Sequence, residues 1–117
     1  MGVIYSFAHM GIHNEDPEKC DEAVEKFKRA FNFASFDLGK SVIVAGPLEL
    51  TKAPMRGTLG HIGIECPDVD EAIEDLEKKG FSIDKSTLHY TSDGHIQSVY
   101  LQDTFGGFAC HLLRAHK

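Results

Sequence analysis

The chain opens with an apolar, β-prone run, VIYSFAHMGIH at residues 3–13, which predicts a strand. Asp16-Pro17 reads as an N-cap followed by proline at the first helical position. Ala23, Val24, Phe27, Ala30 and Phe31 then recur at helical spacing and predict an amphipathic helix over 17–32. Three short β-like runs follow at 33–38, 40–45 and 48–52, divided by Gly39 and by Gly46-Pro47. Residues 53–60, APMRGTLG, carry proline and glycine and predict a linker.

The pattern then restarts. Residues 61–66 predict a strand, and Asp68 with Glu71 has the spacing of a capping box. Ala72, Ile73 and Leu76 supply an apolar stripe, and Lys78-Lys79-Gly80 is a helix end. Strands are predicted at 82–88, 96–102 and 108–113, with turns at Ser92-Asp93-Gly94 and Phe105-Gly106-Gly107. Each half therefore reads β-α-β-β-β. Module 1 covers about residues 1–54, the joint about 55–59 and module 2 about 60–117 of a single domain. The expected fold class is α+β, with the paired modules forming a curved mixed sheet around a cleft and the helices on its outer face.

Alternation along the strands assigns side chains to faces. Ile62 and Ile64 point toward the helix layer, which leaves His61, Gly63 and Glu65 on the cleft side. In the first strand Met10 and Ile12 take the helix side and His9, Gly11 and His13 the cleft side. In the closing strands Leu48 and Leu50 bracket Glu49, and Cys110 and Leu112 bracket His111. Pseudo-symmetric pairing of the modules would bring together His9, Glu49, His61 and His111. Three imidazoles and a carboxylate suit a divalent ion such as Zn²⁺, Ni²⁺, Mn²⁺, Fe²⁺ or Co²⁺. His13 and Glu65 lie four residues beyond His9 and His61, roughly 13 Å along a strand, too far to share a metal bond of about 2 Å. His89, His95 and His116 are expected near turns or the terminus and solvated. A purely architectural repeat is the competing reading, and it places the four side chains apart.

Composition narrows the partners. Twelve Lys and Arg against 18 Asp and Glu give a net charge of −6, which argues against nucleic acid or an anionic membrane surface as partner. No apolar run approaches the ~20 residues of a membrane span, and no secretory signal opens the chain. MGVIYS matches the literal myristoylation pattern, but a buried first strand accounts for the same residues. Three cysteines, Cys20, Cys66 and Cys110, with no close pair point to a reduced, cytoplasmic setting and to thiols used as small hydrophobes.

The paired modules resemble the vicinal oxygen chelate superfamily, which includes glyoxalase I. AHMGI and GHIGI open the halves, LELTK and FACHLL close them, and VDEAIEDLEKKGF is followed by a D-x-x-G-like turn at Asp103–Gly106. Within it, SVIVAGPLELTK, LGHIGIE and FGGFACHLL resemble small modules attached to, or named after, 2-dehydro-3-deoxyphosphogluconate aldolase (4-hydroxy-2-oxoglutarate aldolase). The aldolase itself is a (β/α)₈ barrel with a Schiff-base lysine; barrels take about 250 residues, so this chain is too short and has the wrong element order. Lys40 and Lys52 read as loop or strand-end residues.

The resemblance implies metal ligands at His9, Glu49, His61 and His111. The fourth position is commonly Glu, and here it is His111. One carboxylate with three neutral imidazoles leaves about one positive charge on a divalent ion, making it a stronger Lewis acid. A glyoxalase-type isomerisation as the superfamily runs it uses two carboxylates as proton shuttles; only Glu49 is present here. The implied function is a metal-dependent lyase or isomerase that chelates vicinal oxygens of a small oxo or hydroxy acid, phosphorylated acids included. Glu49 is the expected base, and Lys52 and Arg56 are candidates for a substrate carboxylate or phosphate. The alternative is a non-catalytic module that binds a small ligand or serves an aldolase. A homodimer is expected, since modules of this superfamily also pair between chains.

Overall fold

The computed structural model describes residues 2–115. The element order is β1 (Ser6–Ile12), α1 (Pro17–Phe31), β2 (Ser35–Asp37), β3 (Ser41–Val44), β4 (Leu48–Thr51), β5 (Gly60–Cys66), α2 (Val69–Lys78), β6 (Ile83–Tyr90), β7 (Ile96–Phe105) and β8 (Phe108–Arg114). Both halves are thus β-α-β-β-β, as the hydrophobic pattern implies. The eight strands form one mixed sheet in the order β2-β3-β4-β1-β5-β8-β7-β6. Strands β1 and β5 meet antiparallel at its centre, and each pairs on its other side with the last strand of its own module, β1 with β4 and β5 with β8, both parallel.

The helices form where their ends are chemically satisfied. The Asp16 side chain accepts from the Lys19 N–H, Pro17 begins α1, and Asn32 ends it with a left-handed φ of 59°. The Asp68 carboxylate accepts from the N–H groups of Asp70 and Glu71 at the start of α2. Each helix covers its own cluster. Cys20, Val24, Val42, Val44 and Leu50 pack together under α1. Cys66, Val69, Ala72, Ile96, Val99, Leu101 and Leu112 pack under α2. Cys20 and Cys66 are buried hydrophobes as expected, whereas Cys110 is half-buried.

Two local expectations are corrected. The first strand starts at Ser6 rather than at residue 3, because Val3 and Tyr5 leave the sheet and pack on the α2 cluster, where the Tyr5 hydroxyl donates to Asp75 Oδ2 at 2.6 Å. The turn expected at Asp103–Gly106 shrinks to Gly106-Gly107, both at positive φ, with Phe105 and Phe108 paired across it. His89, exposed near the end of β6, and His95, exposed beside the turn that follows, are placed as expected. Met1 of the myristoylation pattern and His116 lie outside the described residues.

Candidate metal centre

The strand register explains the repeated phrase of the sequence. His9 pairs with Gly63, and His61 pairs with Gly11. Directly paired residues share a face. Each histidine therefore lies over the glycine of the opposite module. A Cβ at Gly11 would collide with the His61 ring at its Cε1, and one at Gly63 with the ring of His9 at its Cε1. The next strand out continues each row: Glu49 pairs with Gly11, and His111 pairs with Gly63. A two-fold exchange of the modules thus maps His9 onto His61 and Glu49 onto His111.

These four side chains meet on the face away from the helices. His9 Nε2 lies 3.1 Å from His61 Nε2 and 3.2 Å from His111 Nε2. The three rings stand 5.1 Å apart, centroid to centroid, and nearly perpendicular, at 80°, 85° and 84°. Glu49 Oε1 lies 3.0 Å from His61 Nε2 and 4.0 Å from His9 Nε2. Such a spread contradicts the purely architectural reading of the repeat.

The donor set fits a metal ion. Two ligands on adjacent positions of one ion, each at about 2.0–2.1 Å, are about 3.0–3.4 Å apart. The shortest separations here fall in that range. Hydrogen bonding alone does not satisfy the cluster: a ring nitrogen makes one hydrogen bond in its plane, yet His9 Nε2 faces two others. Burial pushes the His9 imidazole below its ordinary pKa, against the pull of Glu49. His111 is pushed down to about 3 by burial, then by His61 and His9. Both are held neutral, the form a metal requires. Glu49 is held below the usual carboxylate range, first by the His61 ring, whose Nε2 stands 3.0 Å from its Oε1; Ser41 Oγ also donates to its Oε2 at 3.2 Å.

Two neighbours of the cluster are absent from the sequence-derived set. His13 Nε2 lies 2.7 Å from His61 Nδ1. Counting along β1 alone put His13 far from His9, but the antiparallel partner strand brings it beside His61. Tyr100 pairs with His111 and stacks on its ring at 4.7 Å and 17°. Its signal was available: Val99 and Leu101 are the buried neighbours in β7, so Tyr100 takes the cleft face. Arg56 reaches the same row, its guanidinium 5.4 Å above the Tyr100 ring and 2.7 Å from Asp84, which pairs with Tyr100. Lys52 instead binds Asp37 at 3.0 Å. Glu65 stays outside the cluster, paired with Ser6.

No protein-family model matches the chain, and no curated protein matches it. Solved structures do. A variant of Streptomyces coelicolor methylmalonyl-CoA epimerase in complex with 2-nitronate-propionyl-CoA aligns at TM-score 0.63 and 18% identity, covering 95% of this chain and 97% of that one. Methylmalonyl-CoA epimerase from Mycobacterium tuberculosis aligns at 0.62 and 14%, covering 95% and 88%. A hypothetical protein from Bacillus halodurans aligns at 0.67 and 14%, covering 97% and 96%. The named enzymes among these neighbours are epimerases, and the open eight-stranded sheet is not a (β/α)₈ barrel. The chain shares its paired-module fold with these epimerases.

Proposed function

We propose that the protein is a metal-dependent enzyme of the isomerase type, moving a proton at the carbon next to a carbonyl of a small substrate with two adjacent oxygens. The observation that carries this reading is the convergence of His9, His61 and His111 through Nε2, with Glu49 beside them. A divalent ion held by these residues supplies Lewis-acid stabilisation of negative charge on a substrate oxygen. Glu49 is the proton acceptor. Its carboxylate is positioned by Ser41 and His61 at the rim of the imidazole cluster. Tyr100, stacked on His111, walls the module 2 side, and Arg56 above it offers a cationic edge to an acidic substrate. Acyl thioesters join 2-oxo and 2-hydroxy acids, phosphorylated ones included, as substrate candidates because one fold neighbour binds a CoA-linked nitronate.

Metal analysis of protein purified without added metal, alongside His61→Ala, tests the centre. Near-stoichiometric metal in the wild type and its loss in the variant are expected. Equal, negligible metal in both overturns the reading. The metal-loaded protein is then incubated in D₂O with the candidate substrates, and loss of the proton signal on the reacting carbon is followed by NMR.

Binding without turnover is the second reading. It is favoured by the lowered pKa of Glu49, which makes that carboxylate a weak base. It predicts thermal stabilisation by a ligand with no deuterium uptake.

A further inference from the structure

We propose that His13 is the positioning residue of this centre: it holds His61 in the tautomer and orientation that aim Nε2 at the ion. The proposal rests on reading the four side chains as metal ligands. His13 follows the end of β1, one residue past Ile12, which pairs with Gly60. Its Nε2 is 2.7 Å from His61 Nδ1, closer than His9 Nε2 stands to the Nε2 of His61 or His111, with ring centroids 5.0 Å apart. His61 is only 1% exposed, so bulk water does not compete for that nitrogen.

A neutral imidazole carries one N–H, and its position decides whether the ring can ligate. His61 stands between two acceptors. Glu49 Oε1, 3.0 Å from Nε2, favours the proton on the nitrogen that must face the metal. His13 Nε2 favours it on Nδ1, which leaves the Nε2 lone pair free. For His13 Nε2 to accept, His13 must carry its own proton on Nδ1. That atom is buried with no hydrogen-bond partner among the described residues, so no donor competes for it, and the Gly57 backbone beside the ring favours a proton on His13. Without His13 no acceptor holds the proton on Nδ1, Glu49 draws it to Nε2, and the non-ligating tautomer prevails. Partners of this kind are worth about 10–100-fold in metal affinity.

The test compares His13→Leu, which removes the acceptor, with His13→Gln, whose amide oxygen restores one. Co²⁺ affinity is measured by chelator competition, together with the visible spectrum of the bound ion. A loss of about 10–100-fold in His13→Leu, with His13→Gln close to wild type, is expected. In parallel, ¹⁵N shifts of His61 in the metal-free protein should show the proton on Nδ1 in the wild type and on Nε2 in His13→Leu. Wild-type His61 protonated on Nε2 overturns the proposal, as does equal loss of affinity in both variants, which marks a packing role. A wild type that binds no Co²⁺ overturns the metal reading instead, and the nitrogen shifts still decide the role of His13.

Discussion

At the scale of single residues, the centre depends on two missing side chains as much as on the four present. Gly11 and Gly63 leave the space that the rings of His61 and His9 occupy. Gly11→Ala or Gly63→Ala forces a ring out of place in a packed setting, at a cost of about 1–3 kcal/mol. Each is expected to lower metal content at least tenfold while far-UV circular dichroism stays unchanged; metal analysis of the dialysed proteins checks it. Cys66 illustrates a second residue-level effect. Burial pushes its thiol up to about 11 from an ordinary value near 9. The folded protein therefore keeps a proton that the unfolded chain releases between those values. The contribution is neutral below about pH 9, and stability falls as pH climbs toward 11. Alkylation at pH 8 should leave Cys66 unmodified in the native protein and label it in urea, as read by mass spectrometry.

At the scale of elements, helix caps and strand parity carried most of the information. Asp16-Pro17 and Asp68 mark helix starts through local hydrogen bonds, so they are legible without tertiary context. Asp16→Ala should lower stability by about 1 kcal/mol in urea titration. Alternation also put His9, Glu49, His61 and His111 on one face, because a strand of known phase has only two sides. Pairing between distant strands was not legible. His13 meets His61 only because β1 and β5 run antiparallel with Ile12 opposite Gly60, and Arg56 reaches Tyr100 only because the linker folds back over β7 and β6. Val3 and Tyr5 read as strand from composition, yet they pack on α2 of the other module, since the apolar surface there outweighs pairing at a strand end.

The whole molecule is long, 45 × 29 × 25 Å, with one buried cluster under each helix and the β1–β5 pairing between them. The clusters share no residue. Val44→Ala in the first and Val99→Ala in the second should each cost about 2 kcal/mol. The double variant should equal their sum within about 0.5 kcal/mol in chemical denaturation. No helix among the described residues is long and apolar enough to cross a membrane.

The two-fold relation between the modules has one consequence for handedness. A symmetric centre would offer equivalent groups to the two faces of a flat reaction intermediate. In the proposed reaction the Glu49 carboxylate comes from module 1 and the neutral His111 imidazole from module 2. In that reaction a proton removed by Glu49 can also return from the same side, so solvent deuterium should enter one enantiomer of a chiral substrate with retention faster than the mirror form accumulates. Chiral chromatography of the product alongside its deuterium content measures that ratio.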